Sequence, residues 1–76
     1  MTKTTYLAKS GKTQFRPIAN KEFERYLLNG SYGFCLACGE LTDGDVEPDA
    51  RKYTCEACGE PKVYGLEELL MMGLAR

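Results

Sequence analysis

Four cysteines, arranged as two matched pairs, constrain the fold of this 76-residue chain more than any other feature. The first pair is Cys35 and Cys38, the second is Cys55 and Cys58, and sixteen residues separate the pairs. Two residues between paired cysteines let one tight turn place both sulfurs on the same ion, and zinc binds four such ligands tetrahedrally. The spacing is typical of four-cysteine zinc sites. Because the chain contains no histidine, a fully protein-ligated site must use all four cysteines.

Each cysteine pair is followed by the same dipeptide, Gly39-Glu40 after the first pair and Gly59-Glu60 after the second. A glycine at this position allows a positive φ without a steric penalty. We expect the resulting turn to direct backbone N–H groups at the thiolates, an arrangement that orients the ligands of a metal.

Three other uses of the cysteines remain open. Two disulfides would require an oxidising compartment, but the sequence shows no signal peptide, and cysteines in one tight turn are poorly placed to bridge each other. A thioredoxin-like redox motif would usually be a single pair in a β-α-β unit. Iron in a tetrahedral thiolate site, as in a rubredoxin, is the closest alternative, because that geometry suits both metals. The pattern favours one structural zinc ion.

The length of the chain also favours a metal-stabilised domain. A chain of this size buries only about 60% of the surface that its unfolded form exposes, so a metal often supplements the core. Zinc binding contributes ~10–16 kcal/mol in small zinc-finger peptides. We therefore expect the cysteine-containing part to fold only with its metal. No apolar run approaches the roughly 20 residues of a membrane span, and metal-spaced cysteines without an export signal predict a cytoplasmic protein.

Charge is unevenly distributed along the chain. Residues 1–34 contain six basic and two acidic residues, a net charge of +4, whereas residues 35–76 contain four basic and nine acidic residues, a net charge of −5. Four thiolates around a divalent ion would make the second half more negative still. This asymmetry bears on the choice of partner, because nucleic-acid binding depends on basic residues that neutralise phosphates.

The segment before the cysteines predicts a β-hairpin and then a helix. Residues 4–8 and 13–16 are rich in residues typical of strands, a Ser-Gly-Lys turn lies between them, and Pro17 ends the second strand. We expect residues 1–31 to pack on a ribbon and C-terminal helix formed by residues 32–76, giving one domain overall.

The predicted helix covers residues 20–29. Asn20 is a favourable N-cap and Gly30 a favourable C-terminal stop. One apolar face with i, i+3, i+4 spacing, expected to pack in the core, contains Phe23, Tyr26 and Leu27.

Short antiparallel strands are expected around the cysteine pairs. Strands are predicted at residues 31–34, 41–42, 51–54 and 62–64, with a turn at 43–45 and a short helical turn at 46–50. Two C-x-x-C turns joined by such strands form the architecture of a zinc ribbon. The predicted class is therefore a small α+β metal-stabilised fold.

The final stretch, residues 66–76, predicts a short amphipathic helix. Four leucines fall on one face of that helix: Leu66, Leu69, Leu70 and Leu74. Met71 and Met72 extend the apolar surface beyond this face, and methionine adapts well to partner surfaces. Met71, Met72 and Leu74 are therefore the candidate partner-binding residues.

Read together, the stretches C-L-A-C-G-E, E-P-D-A-R-K-Y and C-E-A-C-G-E-P-K-V-Y-G-L-E-E-L-L resemble the small zinc-ribbon proteins often encoded by bacteriophages. The resemblance covers residues 32–70, about half of the chain. It implies a zinc-ribbon fold, a bound zinc ion and a setting inside a bacterial host. Many such proteins have no assigned activity, so the resemblance implies no particular target.

Nothing in the sequence predicts catalysis. Without histidine there is no ordinary acid–base partner for a nucleophile, and a zinc ion with four cysteine ligands has no open position for water. We therefore predict a non-enzymatic interaction module, monomeric or homodimeric, that binds a protein partner through the acidic ribbon and the Leu/Met helix. The resemblance suggests a phage protein that acts on a host component.

The alternative is a zinc ribbon that binds nucleic acid. Its candidate residues, which would form a basic patch if the hairpin lies against the helix, are Lys12, Arg16, Lys21 and Arg25. Aromatic residues such as Tyr6, Tyr53 and Tyr64 would add stacking surfaces.

Overall fold

The computed structural model of the chain describes residues 1–43 and 46–75. Its elements are, in order, β1 (Lys3–Leu7), β2 (Thr13–Pro17), α1 (Lys21–Asn29), β3 (Tyr32–Cys35), β4 (Leu41–Asp43), β5 (Val63–Gly65) and α2 (Leu66–Met71). β1 and β2 form an antiparallel hairpin, and β3 pairs antiparallel with β4 on one side and β5 on the other. This is a small α+β fold of the predicted class, compatible with a metal-stabilised domain.

The hairpin and the first helix form where the sequence predicts them. α1 begins after Asn20, whose side-chain oxygen accepts a hydrogen bond from the N–H of Phe23 at 3.0 Å. It ends at Gly30, which has a φ of 79° and donates its N–H to the carbonyl of Tyr26. Both caps satisfy backbone groups that a helix end leaves unpaired.

The three-stranded sheet separates the main core from the cysteines. The main core, which the helices cover, contains Phe23, Phe34, Leu36, Tyr64, Leu66, Leu69 and Ala75. A second cluster contains Cys35, Val46, Ala50, Cys55 and Val63. Neighbouring residues of a strand point to opposite faces, and the paired positions Phe34–Tyr64 and Cys35–Val63 divide between the two clusters accordingly. One face of the sheet therefore holds the core and the other holds the cysteines.

The predicted strand at residues 51–54 is wrong. Only Tyr53 pairs there, in an isolated bridge with Val63 in which each N–H donates to the other's carbonyl at 3.0 Å. Lys52 has a φ of 54°, in the left-handed region, and this turns the chain out of an extended path. At the predicted short helical turn of residues 46–50 the chain forms one turn, in which Ala50 N–H donates to the Glu47 carbonyl at 3.0 Å. The predicted turn at residues 43–45 lies partly outside the described residues.

The second helix is shorter than predicted, because α2 ends at Met71 and not at residue 76. The carbonyl of Leu69 accepts the N–H groups of Leu74 and Ala75 at 3.0 and 3.3 Å, so the chain folds back after Gly73. Such closing bonds are typical of a glycine at a helix C-terminus. Residue 76 lies outside the described residues.

The buried face of α2 also differs from the prediction. Leu66 and Leu69 are in the core as expected, but Leu70 is 39% exposed. The buried face is rotated toward Glu68, which is 4% exposed and forms an ion pair with Arg51 at 2.6 Å. In the part of the chain that the structure describes, neither helix is long and apolar enough to cross a membrane.

Candidate metal centre

The first cysteine pair lies in a tight turn, here called the first knuckle (residues 35–40). Gly39 N–H donates to the Cys35 carbonyl at 2.8 Å, and Cys35 N–H donates to the Glu40 carbonyl at 3.0 Å. The turn closes because Gly39 has a φ of 78°, as the sequence predicts.

The second knuckle (residues 55–60) repeats this geometry. Gly59 N–H donates to the Cys55 carbonyl at 2.7 Å, and Cys55 N–H donates to the Glu60 carbonyl at 2.9 Å. Gly59 has a φ of 79°. The shared pattern of cysteine, alanine, cysteine, glycine and glutamate therefore produces the same turn twice.

The two knuckles bring all four sulfurs together. The Sγ atoms lie within 4.8 Å of one another. The Sγ–Sγ distance is 3.7 Å between Cys35 and Cys58 and also 3.7 Å between Cys38 and Cys55. Sulfurs placed tetrahedrally around an ion at ~2.3 Å lie ~3.8 Å apart, whereas a disulfide bond is ~2.05 Å long. All four cysteines are free, and their spacing fits a tetrahedral metal ion.

The surroundings of the sulfurs affect their protonation unequally. Burial raises the pKa of the Cys35 thiol to about 12, although N–H groups of its own knuckle oppose this shift. Burial also raises the pKa of Cys38. At Cys55 burial acts in the same direction, but the N–H groups of Cys58 and Ala57 and the nearby thiols prevail and lower the pKa to about 7. A bound divalent cation would favour the thiolate form of every cysteine.

The N-terminal hairpin supports the first knuckle. Phe15 N–H donates to the Leu36 carbonyl at 2.8 Å, and Leu36 N–H donates to the Lys62 carbonyl at 2.9 Å. Lys3 Nζ donates to the Gly39 carbonyl at 3.0 Å and lies 5.7 Å from the centre of the Phe15 ring. Sequence reasoning missed these contacts, because no local pattern marks Lys3 or Phe15 as neighbours of the cysteines.

The predicted partner-binding residues have different environments. Met71 is 75% exposed and Met72 is 45% exposed. Together with Leu70 they form an exposed apolar surface at the end of α2, here called the Leu/Met patch. Leu74 is half-buried and packs against the main core.

The four residues of the predicted basic patch lie on two elements and in the hairpin turn, with Lys21 and Arg25 one turn apart on α1. Lys12 lines a cavity of about 240 Å³ that it shares with Glu60, whereas Arg25 lines a different cavity of about 270 Å³. Arg16 Nε is buried and has no hydrogen-bond partner. Lys21 is exposed at the start of α1.

A further cavity lies beside the second knuckle and was not anticipated from the sequence. It has a volume of about 190 Å³, and the residues that line it include Cys55 and the acidic residues Glu40, Asp43 and Glu56. Glu40 and Asp43 are neighbours in the sequence but Glu56 is distant from both, so only the folded chain brings Glu56 to them.

The cysteine cluster is the feature of the described residues with the clearest chemical capacity, which is to hold a metal ion. Its donor set, spacing and partial burial all suit a structural metal such as zinc. Comparisons of the chain with protein-family models, with curated proteins and with solved structures gave no match.

Proposed function

We propose that this protein is a zinc ribbon that acts as a non-enzymatic interaction module for a protein partner. The observation that carries the proposal is the four-cysteine cluster, with its two Sγ–Sγ distances of 3.7 Å between the knuckles. When bound, the ion would be held by Cys35, Cys38, Cys55 and Cys58 and would stabilise the fold. Four protein ligands leave no position for water or substrate. The function is therefore assigned to a surface.

Metal analysis of the purified protein tests the first part of this proposal. We expect one zinc ion per chain and a colourless protein. Iron in the same sites would give a coloured protein, and recovery of a folded, metal-free chain with two disulfides would contradict the metal centre altogether.

The Leu/Met patch supports the second part of the proposal. Leu70, Met71 and Met72 are consecutive and all exposed, and larger apolar patches of this kind often mark binding sites. Methionine is flexible and polarisable, which suits a surface that adapts to a partner. We infer that this patch contacts the partner protein or a second copy of the chain.

The double variant Met71→Gln and Met72→Gln tests the patch. We expect it to release a partner captured from host lysate, or to convert a homodimer into a monomer, while the zinc content stays at one ion per chain. Leu28→Gln is a matched control, because Leu28 is 86% exposed but lies on α1. Equal behaviour of the two variants and the unmodified protein would contradict a role for the patch.

Nucleic-acid binding is the second candidate, supported by the +4 net charge of residues 1–34. The variant with glutamine in place of Lys12, Arg16, Lys21 and Arg25 would then bind DNA or RNA more weakly, with a flatter dependence on salt. A protein-interaction module should tolerate these changes. The net charge of −5 in residues 35–76, which repels phosphates, makes this candidate the weaker one.

The setting that we propose is the cytoplasm of a bacterial host, with the protein encoded by a phage. The resemblance of residues 32–70 supports the phage origin. Four free cysteines are typical of a reducing compartment.

A further inference from the structure

The two knuckles have the same backbone geometry but differ in what covers them. Gly39 and Gly59 have φ values of 78° and 79°. A Cβ atom at Gly39 would lie 2.9 Å from Lys3 and 3.1 Å from Phe15, whereas a Cβ atom at Gly59 would meet nothing within 4 Å. Gly39 is accordingly buried and Gly59 is exposed.

The contacts of the first knuckle show what such a turn can bind. Its Leu36 carbonyl accepts the N–H of Phe15, a residue of strand β2, and its Gly39 carbonyl accepts the ammonium of Lys3. The Phe15 ring and the Lys3 side chain cover the open face of the glycine. The first knuckle thus receives one backbone N–H and an aromatic ring from strand β2 and a basic side chain from its hairpin partner β1.

The second knuckle has the same two backbone carbonyls, but no described residue binds to them. The Glu56 carbonyl corresponds to that of Leu36, and the Gly59 carbonyl corresponds to that of Gly39. Neither the Glu56 carbonyl nor the Gly59 carbonyl accepts a hydrogen bond within the described part of the chain. Both residues are exposed. The second knuckle is therefore structurally equivalent to a turn that is seen to bind a strand.

The negative charge around the second knuckle indicates that its partner is basic. Where the first knuckle has Leu36, the second has Glu56, and two more acidic residues, Glu40 and Asp43, line the adjacent cavity of about 190 Å³. Four thiolates around a divalent ion would add negative charge. Such a surface attracts cations and repels phosphates.

We propose that the second knuckle and its acidic cavity form a docking site for an extended segment of a partner protein that carries basic and aromatic side chains. A backbone N–H of the segment donates to the Glu56 carbonyl and a lysine ammonium donates to the Gly59 carbonyl, as Phe15 and Lys3 do at the first knuckle. An aromatic ring covers Gly59, and a lysine or arginine enters the cavity. This inference rests on the proposed function, because it requires a metal-loaded ribbon that binds a protein.

The test uses the full chain, zinc-loaded and ¹⁵N-labelled, and a backbone-cyclised peptide with the sequence of residues 2–17 as a model of the basic–aromatic hairpin. We expect saturable amide chemical-shift changes at Glu56, Ala57 and Gly59. The same cyclic peptide with alanine at the positions of Lys3 and Phe15 should cause none. Absence of saturable changes at the second knuckle, or equal changes with both peptides, would overturn the proposal.

A charge reversal distinguishes this site from general attraction to an acidic protein. Glu56→Lys should weaken binding of the cyclic peptide about tenfold or more, which corresponds to ~1.4 kcal/mol. Glu24→Lys makes the same charge change on α1, where Glu24 is exposed, and should leave the affinity unchanged. Equal weakening by both variants would show attraction by net charge alone and would overturn the site.

Two further measurements separate this inference from the proposed function. Zinc content and amide-shift dispersion are measured for every sample, and a folded chain without metal would remove both proposals. A different result removes only the docking site. In that result the chain carries zinc and needs the Leu/Met patch for partner binding, but the amides of the second knuckle show no saturable shift change with the cyclic peptide.

Discussion

The backbone N–H of Phe15 donates a hydrogen bond to the carbonyl of Leu36 at 2.8 Å, which joins the N-terminal hairpin to the residue after the first cysteine. Leu36 N–H continues this connection to the carbonyl of Lys62, just beyond the second knuckle. The hairpin is therefore part of the support of the candidate metal centre. Stability of the hairpin and integrity of the centre should change together.

Removal of the metal should unfold the chain around the cysteines. Zinc binding contributes an apparent ~10–16 kcal/mol in small thiolate-containing domains, and a chain of this size has little other stability in reserve. We expect a strong chelator to abolish the dispersed amide spectrum. Acid should act in the same direction, because the ligands must be deprotonated to bind. A chelated protein that keeps its dispersed spectrum would contradict this prediction.

Replacement of any one cysteine by serine should reduce metal affinity and unfold the ribbon. The four sulfurs form a single cluster, so the loss of one opens the coordination of the ion. The variants are Cys35→Ser, Cys38→Ser, Cys55→Ser and Cys58→Ser, and competition with a chromophoric chelator measures their affinity. A variant with unchanged affinity would show that its cysteine is not a ligand.

Lys3→Met should lower the free energy of unfolding of the zinc-loaded protein by about 1 kcal/mol, because it removes one hydrogen bond and retains the aliphatic stem. The lost bond is that from Lys3 Nζ to the Gly39 carbonyl at 3.0 Å. Lys9→Met is the control, since Lys9 is exposed in the hairpin turn. Denaturation with guanidinium measures both variants, and equal effects would show that the contact with the first knuckle contributes nothing.

Gly65→Ala should destabilise the protein by ~1–3 kcal/mol through overpacking. Gly65 has ordinary backbone angles, but a Cβ atom there would overlap with the carbonyl oxygens of Glu47 and Pro48. Gly11→Ala serves as a comparison, because its methyl group enters open space and only its φ of 85° is strained. The thermal unfolding temperatures of the two variants distinguish the effect of steric overlap at residue 65 from the effect of backbone strain at residue 11. A neutral Gly65→Ala would show that the 46–50 segment moves away without penalty.

The negative charge of Glu47 raises the pKa of Tyr53 above its ordinary value of 10.0, with smaller effects of slight burial and of Asp49. Glu47→Gln should therefore lower the pKa of Tyr53. The folded state favours the neutral form of the Tyr53 phenol. The contribution of this phenol to the stability of the protein is therefore complete below pH 10, and it declines as the pH rises through the raised pKa of Tyr53. Ultraviolet titration, with Tyr53→Phe subtracted to isolate this tyrosine, measures the shift. An unchanged titration in Glu47→Gln would contradict the assignment.

Several features of the fold could be predicted because short-range interactions determine them. Both knuckles close with hydrogen bonds inside six residues, and a glycine supplies the one unusual φ in each. Asn20 and Gly30 end α1 with bonds to residues three and four positions away. The sequence by itself therefore determined the cysteine turns, the hairpin and the first helix.

The environment of these elements could not be predicted in this way. Lys3 and Gly39 are 36 positions apart, and their hydrogen bond is one of the contacts that cover the first knuckle, whereas the second knuckle is exposed. Glu68 lies on the buried face of α2 and pairs with Arg51 from a distant segment, whereas Leu70 is partly exposed. Only the tertiary structure decided these features, because side chains from distant segments compete for the same surface and no local pattern records which of them packs there.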